Sequence, residues 1–318
     1  MGILNTQEVR PGTIALLCKF LLTCDNFTEE KGKIISLLAP DGIAGEDGNK
    51  SGSEQIRKTI NEAESIGIVT SHEDSVKLTD PFSKWDGNTN KDFVDLIRKQ
   101  ILSESVNTKV SETWASQLGA RELTNAIAWY NTIPFHSLKK DNKEIVKLQS
   151  ASFGSQSPFQ ETDSDGKTTE ISTWPLTTNE RLPAFKNWCV FLGFGWFGPK
   201  NDVLIPDPTI AIESVLRNIF EEEEDLTAKK FRTRLGNFLP VLEGGKYLKL
   251  VEANYSEEKS DAVENNTMDF SQATSFALLT LQERKLVKFD SVADGSSGSL
   301  KLFNNNSFSS VNYQGKSK

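Results

Sequence analysis

Helix, helix, helix and then a short hairpin is an order legible from Pro11 to Thr79 and again from Asp207 to Phe303, with a Trp-rich stretch of helical periodicity between the two copies. Together these observations predict a mainly α protein with small β-hairpins, built as two winged helix-turn-helix domains flanking a helical connecting domain. The expected boundaries are 1–80 for the N-terminal winged helix and 81–206 for the connecting domain with its loop-rich insertion. The C-terminal winged helix is expected over 207–308, and 309–318 as a flexible tail.

The first copy opens at "PGTIALLCKFLLT", where Pro11 suits a first helical turn and a dense apolar face follows. "TEEKGKIISLLA" predicts a second helix. After the Gly-rich loop "DGIAGEDGNKSG", Ser53 can cap a third, in which Ile56, Ile60 and Ala63 keep helical spacing. Gly67 ends it, and Ile68 to Thr70 with Val76 to Thr79 make two strands around the turn "SHEDS".

In the second copy, Asp207 and Pro208 begin "DPTIAIESVLRNIFEE", "TAKKFRTRLGNFLPVLEG" is the next helix, and "DFSQATSFALLTLQERK" is the third. "LVKFDS" and "SLKLF" then read as the two wing strands. An inserted "KYLKLVEANYSEEKSDAVENNTM" is expected to hold a strand and a loop. The copies agree in pattern and hardly in letters, so the repeat is architectural. Between them, "NKDFVDLIRKQILSE", "ARELTNAIAWYNTI" and "NERLPAFKNWCVFLGF" keep apolar residues three or four apart, while "SFGSQSPFQETDSDGKTTEISTW" is loop-rich. Trp114, Trp129, Trp174, Trp188 and Trp196 concentrate in this region and favour a packed segment over a linker.

Composition narrows the function classes. With 318 residues, 37% hydrophobic and 25% charged, the chain can bury a core, and no apolar run approaches the ~20 residues that cross a bilayer. The start "MGILNTQEVRPG" lacks the pattern of a secretion signal, so a cytoplasmic location and no membrane contact are expected. A net charge of −8 opposes indiscriminate binding to phosphate backbones. Cys18, Cys24 and Cys189 have no metal-ligand spacing and read as buried thiols, and His72 and His136 suggest neither a zinc site nor a triad. No metal and no cofactor are expected.

Two motifs have a formal chemical reading and a plainer one. "GFGWFG", Gly193 to Gly198, fits a dinucleotide fingerprint by letters, yet a helix precedes it where a strand is needed, and a tight aromatic-packed turn is the better reading. Asp163, Asp165 and Gly166 match the first half of a calcium loop, but Ser172 stands where the closing carboxylate belongs, which favours a solvated turn. The acidic run Glu221 to Asp225 reads as a solvated surface or a patch for a basic partner. No nucleophile, paired-carboxylate or phosphate-loop motif is visible, so a non-enzymatic protein is expected.

A wing should present cations to DNA, and the first copy does not: Glu64, Glu73 and Asp74 surround its hairpin. The second copy is the better candidate. Lys229, Lys230, Arg232 and Arg234 would position phosphates, Ser271, Gln272, Thr274 and Ser275 at the start of the third helix would meet base edges, and Lys288 and Lys301 lie on the wing strands. The plainer reading is that these cations balance the neighbouring acidic run.

"LGFGWFGPKNDVLIPDPTIAIESVL", "FLPVLEGGKY", "SFALLTLQERKLVKF" and, more weakly, "RELTNAIAWYNTIP" resemble the G component of bacterial Dpd systems, which place 7-deazapurine modifications in DNA and restrict foreign DNA. The resemblance spans most of the chain and brings no catalytic residue with it. It implies an accessory or adaptor subunit of a DNA-modification or phage-defence complex. Its partners would be other subunits, an ATPase or helicase among them, with double-stranded DNA at the C-terminal winged helix. The alternatives are an acidic tandem winged-helix subunit binding a kleisin-like partner in a chromosome-organising ATPase complex, and a transcription regulator, which would need a dimer and a palindromic site.

Overall fold

The computed structural model describes residues 3–4, 9–40, 52–107, 120–153, 159–162, 168–171, 176, 181–199, 203–256, 259, 268–291, 298–303 and 306–315. It is mainly helical with small antiparallel sheets. The chain divides into two compact units, one of residues 1–123 with 178–192 and the other of 124–177 with 193–318, so the stretch 81–206 is shared between them. No helix among the described residues is long and apolar enough to cross a membrane.

The first unit begins with helix α1 (Pro11–Leu22), whose Ile14, Leu17, Cys18 and Leu21 recur at helical spacing and are all buried. Strand β1 (Thr28–Glu30) runs into α2 (Lys31–Leu38), and α3 (Gly52–Ser65) buries Ile56, Thr59, Ile60 and Ala63. A hairpin of β2 (Val69–His72) and β3 (Ser75–Leu78) closes the unit's sheet in the order β1-β3-β2. The turn between them places Glu73 at φ 53, in the left-handed region. Strand β1 replaces the first three residues of the second expected helix and pairs Thr28 to Glu30 with Lys77 to Ser75.

Beyond the hairpin, α4 (Asn90–Ile101) packs Phe93 against Trp85, ring centroids 4.5 Å apart. Its Arg98, almost fully buried, donates from Nε to the carbonyl of Leu192 at 2.6 Å and from Nη1 to Asp95 at 2.7 Å. This ties α4 to the C-terminal end of α7 (Arg181–Phe191). A buried cation is tolerated where its donors are matched, and here a carbonyl and a carboxylate match two of them.

The second unit holds α5 (Arg121–Asn131) from Thr124 onward, α6 (Asn142–Phe153), and two hairpins, β4 (Phe159–Thr162) with β5 (Thr168–Ile171) and β6 (Gly195–Phe197) with β7 (Leu204–Pro206). Trp129 donates from its indole to Ser152 Oγ at 3.0 Å, and Tyr130 from its hydroxyl to the carbonyl of Leu204 at 2.8 Å. These polar tips are satisfied while the rings fill the core.

The remainder of the unit repeats the element order of the first. Helix α8 (Thr209–Ile219), strand β8 (Asp225–Thr227) and α9 (Ala228–Phe238) are followed by the short α10 (Lys246–Glu252) and by α11 (Gln272–Glu283). Strand β9 (Val287–Asp290), a small hairpin of β10 (Leu300–Lys301) and β11 (Ser307–Phe308), and β12 (Ser310–Tyr313) complete it. Its main sheet has the order β8-β12-β9, matching β1-β3-β2 in the first unit, with first and second strands flanking the last.

Three expectations change here. Residues 309–318 are no simple tail, because Ser310–Tyr313 is the central strand of that sheet, pairing Val311 with Leu226 on one side and Phe289 on the other. Leu300–Lys301, expected as the second wing strand, belongs to the side hairpin. The inserted segment begins with a helix, α10, where a strand was expected. Its start is tightly docked: a side chain on Gly236 would collide with the backbone at Gly244 and Gly245, and Gly244 sits at φ 86.

Two consequences are measurable. Gly236→Ala should destabilise the protein by about 1–3 kcal/mol in urea denaturation, since the backbone of the following turn leaves no room for a methyl group. A chain ending at Ser309 should lose the sheet of the second unit, seen as lost β-type circular dichroism and a lower denaturation midpoint; unchanged unfolding would show β12 to be dispensable.

Candidate nucleic-acid interface

The ten residues expected to meet DNA all lie in the second unit, on or beside α9, α11 and the strands that follow. Helix α9 is capped by Thr227, whose Oγ1 accepts the backbone N–H of Lys230 at 3.3 Å. Its apolar face, Phe231 and Leu235, is buried, which turns Lys229, Lys230 and Thr233 outward and leaves Arg232 and Arg234 half-buried.

Those cations already have anions. Lys230 Nζ lies 2.5 Å from Glu223, and Arg234 Nη2 lies 2.5 Å from Glu222 and 3.7 Å from Glu223 while its Nη1 donates to the carbonyl of Ile219 at 2.7 Å. The ammonium of Lys230 holds the Glu223 carboxyl below its ordinary value. Arg232 Nη1 faces Asp269 at 3.6 Å, and Lys288 pairs with Asp290 at 2.7 Å. Lys229 and Lys301 are exposed. The charge-balancing reading therefore describes Lys230 and Arg234 in place, their anions being the acidic run itself. Exposed pairs of this kind are weak, so a phosphate could still compete for them.

The polar residues at the start of α11 are placed differently from the expectation. Ser271 is the cap of the helix, accepting the N–H of Thr274 at 3.2 Å and donating its own N–H to Glu243 at 2.6 Å. Gln272 accepts the N–H of Phe135 at 2.7 Å. Thr274 and Ser275 are buried at 0% and 2% exposure, and Ser275 Oγ accepts the N–H of Phe303 at 2.9 Å. Thr274 and Ser275, so enclosed, cannot reach a base edge from where they stand, while Ser271 and Gln272 are half-exposed and are engaged in the cap and in holding Phe135.

Near its start α11 exposes an apolar side chain, whereas its end exposes Gln282 and Glu283. Ala273, Thr274, Ala277, Leu278 and Leu281 face the core, so Phe276 points outward and is 48% exposed. Phe303, whose backbone N–H is held by Ser275, is 44% exposed. Phe135, on the single 3-10 turn Phe135–Ser137, stands edge-on to Phe276 with ring centroids 6.1 Å apart. Sequence reading missed this cluster, although the buried pair Ala277–Leu278 and the turn-spaced Leu281 leave position 276 outside. Nearby, a groove of about 410 Å³ is lined by Leu279, Gln282, Phe289, Leu302 and Phe308 among others, with no charged side chain, which is unsuited to a phosphate.

In the first unit α3 exposes Arg57, Asn61 and Glu64 and keeps Lys58 within 3.3 Å of Glu54, while Glu73 and Asp74 stand exposed on the hairpin turn. Its titratable cluster is internal: Arg121, Glu122, Arg181 and Glu62 are each less than a tenth exposed, with Arg181 Nη1 3.2 Å from Glu122 Oε1. Burial raises the Glu122 carboxyl above its ordinary value, and Arg181 opposes the rise. Two carboxylates do meet here, but shielded from solvent, as a packing device between α3, α5 and α7.

The remaining motifs resolve simply. Gly193, at φ 76 with Ile210 against it, ends α7 in a left-handed turn before β6, and its carbonyl accepts the N–H of Ala211 at 3.2 Å. The candidate calcium residues Asp163, Asp165, Gly166 and Ser172 lie outside the described residues. Among the described residues no group of His, Cys, Asp and Glu could hold a metal ion. Cys18 and Cys189 are buried, and burial pushes the Cys18 thiol up to about 12.

Compared with known proteins, the chain matches one family model, described as DpdG-like, over residues 1–295. No curated protein and no solved structure matches it.

The geometry of α11 gives a direct check. Ser275→Ala leaves the buried N–H of Phe303 without its acceptor and should cost about 1–3 kcal/mol by chemical denaturation, whereas a solvent-facing serine would give almost nothing. A null effect would show that Ser275 is not the anchor described.

Proposed function

The chain belongs to the DpdG-like family, and from that premise we propose that it is a non-enzymatic accessory subunit of a bacterial system that places 7-deazapurines in DNA and restricts foreign DNA. We read it as an adaptor: a protein that works by holding other subunits, an ATPase or helicase among them, to each other and to DNA. Both units read as winged helices. What supports this is the order helix, strand, helix, helix, strand, strand, which the second unit keeps with α10 and the β10–β11 hairpin added, and the central place of the last strand in each sheet. The fold has many uses, so function must come from its surfaces.

The observation that carries the adaptor reading is the exchange of roles on α11. At the position of a recognition helix it presents Phe276 in place of cations, and the candidate phosphate contacts Lys230, Arg232, Arg234 and Lys288 stand beside carboxylates. A DNA-reading domain would show the reverse, cations free at the groove and base-reading side chains exposed. The first unit, with Glu73 and Asp74 on its hairpin, suits a basic or neutral protein partner.

Co-expression with the neighbouring genes of its operon, followed by affinity capture of this chain, tests the reading. A stable complex with at least one neighbour is expected. It should survive replacement of Lys229, Lys230, Arg232 and Arg234 by Glu, because those residues are assigned no partner contact. Recovery of the chain alone and monomeric would contradict the adaptor role. Tight, salt-sensitive binding of duplex DNA that the fourfold replacement abolishes would restore the DNA-reading alternative.

A further inference from the structure

A groove of about 520 Å³ in the first unit is lined on one side by Asp92, Asp95, Leu96 and Lys99 of α4 and on the other by residues of 81–86, Pro81 and Trp85 among them. The four helix residues recur three and four apart, so they form one stripe, opposite the face that buries Phe93, Ile97 and Ile101. Leu96 is half-buried and gives the stripe an apolar centre.

Most charges around the groove are engaged within the chain. Asp95 accepts from Arg98 at 2.7 Å, Lys84 pairs with Asp80 at 2.8 Å, and Asp86 accepts the N–H groups of Asn88 and Thr89 at 2.8 and 3.1 Å. Asp92 and Lys99 are exposed, and among the described residues neither enters an ion pair. They stand seven positions apart, about 10 Å along the helix axis, with Leu96 between them. Opposite signs at the two ends of one stripe make it complementary to its own reverse. A two-fold axis between residues 95 and 96 sets Asp92 of one chain against Lys99 of a second copy, repeats that pair in the other direction, and brings the two Leu96 side chains together at the axis.

We propose that this stripe is a self-docking surface, on which two copies of the chain associate through antiparallel α4 helices. A parallel arrangement would oppose Asp92 to Asp92 and Lys99 to Lys99, so charge fixes the orientation. Exposed ion pairs contribute little by themselves, and the leucine contact supplies the burial that holds them. The inference goes beyond the adaptor reading and does not depend on it, since the contact needs only a second copy of this chain.

Sedimentation velocity on the full-length protein over a wide concentration range tests the surface. A monomer–dimer equilibrium is expected, shifting toward monomer with added salt. Asp92→Lys and Lys99→Asp should each weaken the dimer by about tenfold, because each sets like charges together twice. Mixing the two variants should restore association as a heterodimer, and the double variant should associate with itself again. Each reversal also opposes the dipole of α4, Asp92 standing in its first turn and Lys99 in its last, and mixing does not repair that loss. Recovery on mixing therefore reads the contact itself. A monomer at every concentration overturns the proposal, as does a dimer that the single reversals leave intact or an association that they abolish and mixing fails to restore. A chain monomeric throughout, whose reversals cost it the capture of an operon neighbour, would give the groove to another protein and overturn self-docking as well.

Discussion

The rotation of α11 about its own axis is the constraint on which the functional surface depends. A helix has one face for the core and one for solvent, and here Ala273, Ala277, Leu278 and Leu281 decide the choice. The hydroxyl of Ser275 locks it by accepting the N–H of Phe303, so the same bond that fixes the helix also brings a second phenylalanine to the surface. Were the helix turned by one residue, Phe276 would move toward the core and Ser275 would face water. The cap at Ser271 and its bond to Glu243 set where the helix begins, and with it the position of every side chain that follows.

Charge is organised to the same end. The acidic run after α8 holds the cations of α9, and the carboxylate of Asp269 spans Arg232 and the backbone of Lys301. These pairs contribute little to stability because water screens them, yet they govern what the surface can attract. Where such pairs form, a phosphate must displace a carboxylate. The first unit keeps its strongest charges inside, Arg98 on a carbonyl and Arg181 on Glu122, and shows mixed charge outside.

Much of this was legible in the sequence. Helical periodicity placed the helices because their buried faces are amphipathic, as in Ile14, Leu17 and Leu21, and the quoted turn and apolar segments carried the family resemblance that the family match supports. Strands β1 and β8 escaped notice: each is three residues long and abuts a helix, too short for alternation to show. Strand β12 was read as a tail because "SVNY" buries only Val311 fully and follows a side hairpin that delays the closing strand. Ser271, Gln272, Thr274 and Ser275 look alike in sequence whether they cap a helix, anchor a loop or face DNA; only burial separates those uses. The aromatic pair was hidden for a different reason, since Phe135 reaches Phe276 from a position far away in the chain.

Hydrogen–deuterium exchange on the chain alone and in complex with an operon neighbour tests the central claim most directly because it reads each surface by itself. The account predicts that the neighbour slows exchange at the start of α11, where Phe276 is exposed, while α9 with its paired cations changes little. Protection confined to α9 and its basic residues, with the start of α11 unchanged, would contradict it.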